Sequence, residues 1–175
     1  MAASRGPFIV ADLETTGLNS NVDSILEIGA LRVAPDGTVE GEFSVLVGGG
    51  STITPKITDL TGITQKMIDR DGRPLVEAIR SFLQFVGDRP AFFHNAPFDQ
   101  RFIRRACDEV GEAFENRVFD TLELGRFTWP DLQNHRLESL ARHVGAPPPS
   151  HRAISDARAT LGVLLAARAR SSSSD

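Results

Sequence analysis

Short apolar runs separated by polar turns predict three strands in the first part of the chain. The run Phe8-Ile9-Val10-Ala11 begins the first strand, residues 25–33 form the second, and residues 39–47 form the third. Asp36-Gly37 lies between the last two and is a typical hairpin sequence. The pattern therefore predicts that these three strands are antiparallel neighbours in one sheet.

The spacing of apolar residues changes after the glycine run at 48–50. Residues 48–58 are expected to form a long connection, and residues 59–68 a short helix. Pro74 is well placed at a helix start, and Gly87 at a helix end. Between them, apolar side chains recur at helical spacing, at Leu75, Ile79, Phe82, Leu83 and Val86. This spacing predicts an amphipathic helix.

Strands and helices alternate in the second half of the chain. Residues 90–94 form a short apolar run, and Pro97 opens a helix directly after it. A fifth strand is predicted at 118–120, and three further helices at 122–127, 137–144 and 154–168. Such alternation is typical of an α/β layered fold.

Length and composition indicate one domain. The chain has 175 residues, of which 41% are hydrophobic, enough for one sizeable core. Residues 1–170 are therefore predicted to form a single domain. The polar run 171–175 is expected to be a disordered tail.

The overall charge restricts how the chain can bind polyanions. The formal net charge is −4 and the sequence pI is about 5.6. A broad basic surface usually gives a much higher pI, so binding through such a surface is disfavoured. Nucleic acid is still a possible ligand, because divalent cations bound to carboxylates reverse the local charge.

One cysteine and the absence of an apolar leader define the expected compartment. Cys107 alone excludes an intramolecular disulfide and disfavours a thiolate zinc site, so it is expected to pack in a helix. The first residues contain no apolar signal region, and no run is long enough to span a membrane. These observations predict a cytoplasmic protein.

Two carboxylates stand at alternate positions near the end of the first strand. Alternation puts Asp12 and Glu14 on one face, where they repel each other unless a cation lies between them. Polar residues also commonly end a strand at the surface. The pair alone is therefore a weak indication of a metal site.

Two further acids occur at predicted helix starts. Asp99 lies in the first turn of the helix after residues 90–94, and Asp156 lies near the start of the last helix, five residues after His151. Either acid could simply complement a helix dipole. Each is weak alone, but their order along the chain is more specific.

The combined pattern resembles the DEDDh branch of the DnaQ-like 3′→5′ exonucleases, and in particular the proofreading ε subunit of bacterial DNA polymerase III. The resemblance extends over about residues 7–168. It is carried by Asp12–Leu18, Ile25–Ala30, Leu60–Thr64, His94–Asp99, Phe119–Leu122, His135–Leu140 and His151–Asp156.

This resemblance implies an RNase H-like α/β fold, with a mixed five-stranded sheet whose first three strands are antiparallel and helices on both faces. It implies that Asp12, Glu14, Asp99 and Asp156 hold two Mg²⁺ or Mn²⁺ ions, with Asp12 bridging both. His151, in a flexible loop, would act as general base, because histidine accepts protons near neutral pH. The branch that uses tyrosine instead is excluded, because the chain contains no tyrosine.

The resemblance also implies contacts to substrate. Leu13, Thr15 and Thr16 are candidates to contact the terminal nucleotide, and Asn95 and Phe98 to line the strand. Phe98 could stack on a base or pack in the core, and both interpretations stay open.

Other acids and histidines in these segments are expected to have different roles. Structural roles are expected for Glu27 and Asp120. His94 and His135 are expected to orient backbone or substrate, and His143 to lie on a helix surface.

The leading hypothesis is a metal-dependent 3′→5′ exonuclease that releases nucleoside 5′-monophosphates from the 3′ end of single-stranded or frayed DNA, in replication proofreading or repair. An RNA- or oligoribonucleotide-trimming exonuclease is the first alternative, since nothing in the sequence recognises a 2′-hydroxyl unmistakably. A non-catalytic module associated with a polymerase or with repair proteins is the second. A replicative DNA polymerase is a candidate partner, although the chain ends soon after its last predicted helix, where family proofreading subunits carry a docking segment.

Overall fold

The computed structural model describes residues 6–49 and 52–172. Within these ranges, the elements in chain order are β1 (Phe8–Thr15), β2 (Ile25–Val33), β3 (Val39–Gly48), α1 (Pro55–Thr61), α2 (Gln65–Asp71), β4 (Arg73–Pro74), α3 (Leu75–Val86), β5 (Ala91–Phe93), α4 (Ala96–Val110), β6 (Val118–Asp120), α5 (Thr121–Thr128), α6 (Leu137–Val144) and α7 (Ala153–Ser172).

The strands form one mixed sheet in the order β4-β3-β2-β1-β5-β6. β1, β2 and β3 are antiparallel neighbours, which confirms the predicted meander, and β5 and β6 continue the sheet parallel to β1. Five strands were expected, whereas the sheet formed by the described residues has six. The sixth, β4, is only two residues long and pairs with the end of β3. So short a strand has no periodicity to detect, and Pro74 indicates a helix start just as well.

Alternate side chains of β1 contact helices on opposite faces of the sheet. Ile9 and Ala11 belong to a core shared with α3 and α4. Phe8 and Val10 pack instead with apolar side chains of α7. β1 is therefore a central strand that is covered on both sides, and helices lie on both faces of the sheet as expected. Cys107 lies buried in the first of these cores, and burial raises the pKa of its thiol to about 11.

The segment after β3 is more helical than expected. The prediction of a long connection to residue 58 followed by one helix was wrong, because α1 and α2 occupy most of this segment. The hydroxyls of Thr54 and Thr64 accept hydrogen bonds from Ile57 N–H and Met67 N–H at 3.4 and 3.2 Å, and so cap the two helices. Gly62, with φ of 70°, ends α1. Capping residues define these short helices better than apolar spacing does.

The last helix extends beyond its predicted end. Ser171 and Ser172 were expected in a disordered tail, but both belong to α7, and their hydroxyls donate to the carbonyls of Ala167 and Arg168 at 3.1 Å. The rest of that predicted tail, residues 173–175, lies outside the described residues. In the described part of the chain, no helix combines the length and the apolar character that a bilayer span requires.

Candidate active site

The acids predicted from the sequence meet in one cleft. Its volume is about 750 Å³, and its lining includes Asp12, Glu14, Asp99, His151 and Asp156. These residues come from β1, from the first turn of α4, and from the start of α7 with the loop before it. Three segments that are distant in sequence therefore supply one cluster of carboxylates beside a histidine.

The pairing of β1 with β2 determines which side chains of the two strands lie on the same face of the sheet. Asp12 stands opposite Gly29 and Glu14 stands opposite Glu27 in the antiparallel pairing. Side chains of directly opposed residues project to the same side of a sheet. Glu14 and Glu27 are therefore a like-charge pair that requires a compensating cation nearby.

Burial and mutual repulsion favour protonation of these acids. The pKa of Asp12 is raised well above its usual value, first by burial and then by the charges of Asp99, Asp156 and Glu14. Burial and the Asp156 charge raise the pKa of Glu14 to about 8. Burial also raises the pKa of Asp99 and of Asp156. A bound cation would relieve this repulsion.

The donor atoms fit a divalent metal ion. Glu14, His151 and Asp156 each offer one ligand atom, and these atoms lie within 4.8 Å of one another. Carboxylate oxygens are the ligands that hard divalent cations prefer. Asp12 and Asp99 line the same cleft and extend the oxygen donor set.

The loop before α7 is anchored through its backbone. Asp156 Oδ1 accepts hydrogen bonds from the backbone N–H groups of Ser150 and His151 at 2.9 and 3.1 Å. His151 adopts a φ of 54°, and its side chain is exposed at the cleft. Two hydrogen bonds thus hold the backbone of this loop, and the flexibility expected of it stays a prediction.

A second left-handed residue opens α4. Asn95 has a φ of 66°, and its N–H donates to Asp120 Oδ1 at 2.9 Å. The same oxygen accepts from Leu122 N–H at 2.8 Å and caps α5. The structural role expected for Asp120 is therefore specific, because it connects the turn before Asp99 to the end of β6.

His94 and His135 fasten the wall of the cleft that follows α5. His94 Nε2 donates to the His135 carbonyl at 3.0 Å, and His135 Nε2 donates to the Trp129 carbonyl at 2.9 Å. Burial lowers the pKa of His94, which favours the neutral imidazole. His143 is exposed on α6, with its ring at the edge of the Trp129 ring. His94 and His135 therefore both bind backbone carbonyls, which is one of the two roles predicted for them.

The predicted substrate contacts divide into two groups. Leu13, Asn95 and Phe98 line the cleft, whereas Thr15 and Thr16 lie outside its lining. The Thr15 hydroxyl donates to the Gly17 carbonyl at 2.6 Å, and the Thr16 hydroxyl donates to Asp23 at 3.2 Å, so both shape the loop after β1. Contact of either threonine with substrate stays a prediction.

Phe98 satisfies parts of both interpretations given above. Its ring packs against Phe102 with centroids 5.0 Å apart, yet it also lines the cleft. It is half-buried, so one side faces the core and the other is available to a ligand.

Sequence reasoning missed the wall of the cleft that α5 and the segment before α6 provide. Two arginines and two amides stand there, Arg126, Gln133, Asn134 and Arg136, and all four side chains are exposed. The unbroken polar run Gln133-Asn134-His135-Arg136 was the available signal. Only the fold shows that it faces the carboxylates.

Comparison with known proteins assigns the family. A family model described as an exonuclease, RNase T, matches residues 9–164. The chain belongs to this exonuclease family. The membership confirms the family that the order of acidic segments predicted. Exonucleases hydrolyse phosphodiester bonds, so the carboxylate cleft is the candidate site of that reaction.

Relatives of this exonuclease include PolC-type DNA polymerase III proteins. The protein from Clostridium perfringens is 40% identical over 159 residues, which is 90% of this chain and 11% of the relative. The one from Bacillus subtilis is 38% identical over 161 residues, again 90% of this chain and 11% of the relative. The chain thus spans about a tenth of the length of these relatives.

Solved structures share the fold of this exonuclease. E. coli exonuclease I in a complex with single-stranded DNA superposes with a TM-score of 0.82 at 19% identity, covering 95% of this chain and 41% of that one. Exonuclease X in complex with 5′-overhanging duplex DNA gives a TM-score of 0.76 at 24% identity, covering 94% and 93%. These likenesses confirm the RNase H-like architecture.

Proposed function

We propose that this exonuclease is a metal-dependent 3′→5′ enzyme that releases nucleoside 5′-monophosphates from the 3′ end of single-stranded or frayed DNA. The observation that carries the proposal is the convergence of four carboxylates and His151 in one cleft of an exonuclease-family chain. The identity with PolC-type DNA polymerase III proteins supports DNA as the substrate and proofreading or repair as the setting.

Asp12, Glu14, Asp99 and Asp156 would hold two Mg²⁺ or Mn²⁺ ions. When bound, such ions supply counter-charge to the attacking and leaving oxygens of a phosphodiester. The charges of the other three acids, and that of Glu27, all raise the pKa of Asp12, so a cation held there would relieve this repulsion. Asp156 uses Oδ1 for its backbone hydrogen bonds, and its second oxygen can serve as a ligand.

His151 would take the proton from the attacking water. Its ring is exposed at the cleft, and one of its nitrogens lies within 4.8 Å of ligand atoms of Glu14 and Asp156. A base in this position can reach a water beside the carboxylates. Correctly placed general bases contribute about 10²–10⁴-fold to rate.

The opposite wall would hold the nucleic acid strand. Arg126 and Arg136 line the same cleft as the acids and supply positive charge for phosphates, and Arg126 also forms an exposed ion pair with Glu123. Leu13 lines the same cleft and would contact the terminal nucleotide, and Asn95 would line the path of the strand. The exposed side of Phe98 would stack on a base.

The decisive experiment follows a 5′-labelled single-stranded DNA oligonucleotide incubated with the protein and Mn²⁺. Shortening by one nucleotide at a time, with release of 5′-mononucleotides, is expected. Asp12→Asn should abolish cleavage, while Asp108→Asn, at an exposed position of α4, should not. Bound but intact DNA would refute hydrolysis, and internal cuts would refute an exonuclease.

Substrate sugar and partner require separate measurements. A matched RNA oligonucleotide tests the DNA assignment, and faster cleavage of RNA would overturn it. A DNA polymerase is the proposed partner, because the relatives are polymerases. Co-purification with a replicative polymerase tests this, and failure to bind would favour a nuclease that acts alone. The cytoplasmic location stays a prediction.

A further inference from the structure

We propose that Glu27 and Arg152 are positioning residues for His151, an inference that rests on the base role proposed above. Glu27 belongs to β2 and Arg152 directly follows His151. Arg152 Nε lies 3.0 Å from Glu27 Oε2, and Nη2 lies 2.7 Å from Oε1. The two residues are 125 positions apart in sequence, so the pair joins the sheet to the loop that carries His151.

Glu27 also holds the first helical residue after that loop. The Ala153 N–H donates to Glu27 Oε2 at 2.9 Å. Backbone N–H groups at a helix start lack a partner within the helix, so this hydrogen bond gives α7 a capping group from another element. One carboxylate thereby binds both the side chain after His151 and the backbone one residue further on.

Burial of Glu27 indicates a role beyond packing. The Glu27 side chain is 0% exposed, and the Arg152 side chain is 37% exposed. A buried ion pair is often no more stabilising than an apolar pair of similar volume, because both charges lose hydration. Such a pair holds its two side chains in one arrangement, and here it fixes the residue next to His151.

The backbone of His151 needs support from both sides. A φ of 54° is unfavourable for a non-glycine residue and persists where the surrounding structure over-determines it. Asp156 binds the N–H groups of Ser150 and His151. The Glu27–Arg152 pair fixes the chain on the other side of His151, so the imidazole leaves the backbone in a set direction.

Gly29 completes this support from β2. A Cβ at Gly29 would lie 2.4 Å from Ala153 C and from Ile154 N. The start of α7 therefore rests directly on the backbone of β2, two residues from Glu27 and on the same face. β2 therefore supports the loop in two ways. The backbone at Gly29 is in close contact with the start of α7, and Glu27 holds Arg152 and the Ala153 N–H by hydrogen bonds.

Steady-state kinetics on single-stranded DNA test the proposal. Glu27→Gln and Arg152→Gln are expected to lower kcat roughly 10–100-fold, since small displacements of a reacting group cost this much, while KM changes much less. Arg152→Lys should recover part of the loss. The control is Arg158→Gln, because Arg158 joins α7 to Glu42 of β3 by two contacts of 2.6 Å at the exposed surface. Its kcat should stay at the wild-type value.

A double-mutant cycle separates positioning from general damage. In a His151→Ala background, Glu27→Gln should lower the remaining rate little, because the base that it positions is gone. An undiminished loss in the double variant, or wild-type kcat in both folded single variants, would overturn the proposal.

Amide hydrogen exchange keeps this test independent of the proposed function. Glu27→Gln and Arg152→Gln should speed exchange in the segment 150–155, and Arg158→Gln should not. Unchanged exchange would overturn the positioning role even if the protein cleaves DNA. Wild-type rates for His151→Ala would instead refute the proposed base. Arg152→Gln carries the test if Glu27→Gln fails to fold, because Arg152 is partly exposed.

Discussion

In the part of the chain that the structure describes, the strained non-glycine backbone lies at the cleft. Among the described residues, Asn95 and His151 are the non-glycine positions with positive φ, and both line the cleft. Each is restrained by a carboxylate acting on its N–H, Asp120 for Asn95 and Asp156 for His151. Strained residues held in this way are common at functional sites, where they fix side-chain direction.

Removal of the Asp120 carboxylate should release the turn at Asn95. Asp120→Ala is expected to lower the free energy of unfolding by about 1–2 kcal/mol, because two backbone donors lose their acceptor. The rate of DNA cleavage should fall too, since Asp99 follows that turn. Urea unfolding measures the stability loss. Asp120→Asn keeps an acceptor oxygen and should retain most of the stability; an equal loss in both variants would contradict this account.

Arg136 should contribute to binding the strand rather than to the chemical step. Arg136→Ala is expected to raise KM with little change in kcat, and to reduce the salt dependence of log KM by about 0.7, the value for one phosphate contact to a single strand. Kinetics at several salt concentrations measure this. Arg142→Ala, in an exposed ion pair with Glu138 on α6, is the control. The same salt dependence in wild type and Arg136→Ala would refute the contact.

At the scale of elements, the contact between β2 and α7 connects the sheet to the cleft. Gly29→Ala inserts a methyl group against the α7 backbone, which cannot move without shifting Asp156 and the loop before it. The free energy of unfolding should fall by about 1–3 kcal/mol, as for other overpacked sites, and kcat should fall as well. Denaturant unfolding and kinetics on the same sample check both.

Gly41→Ala on β3 is the matched control. Its Cβ would meet Phe85 at 3.5 Å, which is ordinary contact. This variant should keep both stability and kcat near wild type. Equal behaviour of the two glycine variants would show that close approach to α7 has no special importance.

Elements with clear periodicity were predictable, and those defined by caps or by distant contacts were not. The bounds of β2 and α6 agree with their predicted ranges, because β2 is a mostly apolar, almost entirely buried run and α6 has apolar residues at helical spacing. α1 and α2 depend on Thr54 and Thr64, whose capping role is local and easily missed. The residues of the site divide in the same way, into those that a local pattern predicts and those that depend on distant contacts.

Acids of the site stood out in the sequence because Asp12, Glu14 and Asp99 come close after apolar runs and Asp156 stands five residues after His151 at a predicted helix start. Glu27 was assigned a structural role, but its partners became visible only with the register that sets it opposite Glu14 and with the fold that brings Arg152 to it. The basic wall at Arg126 and Arg136 was missed for the same reason. Such contacts depend on three-dimensional packing that no local pattern encodes.

At the scale of the whole molecule, an acidic chain concentrates buried negative charge in one cleft, so stability should depend on divalent cations and on pH. In protein freed of metal by EDTA, Mn²⁺ at about 100 times its Kd should raise Tm by roughly 5–10 °C. Asp12→Asn should reduce this gain. Thermal unfolding with and without Mn²⁺ measures the effect, and an equal gain in the variant would contradict it.

The sign of the pH dependence follows from the raised pKa of Glu14, which is about 8 in the folded chain against an ordinary 4.5. A group whose pKa is raised by folding binds its proton more tightly in the folded state, so its contribution is present at low pH and lost as pH rises through about 8. Metal-free protein should therefore lose stability between about pH 5 and pH 8 through this group. Saturating Mn²⁺ should weaken this dependence; stability that rises with pH over this range in EDTA would contradict the burial of Glu14.

The length of α7 has a practical consequence for single-molecule work. Its first turn carries Asp156 at the cleft, and its 20 residues extend about 30 Å along one axis. A biotin or bead linker placed after Ser172 would therefore hold the molecule by the end of α7 farthest from the cleft. Tethered there, the enzyme would leave its cleft open to a long DNA substrate stretched in an optical trap, so that shortening could be recorded one nucleotide at a time.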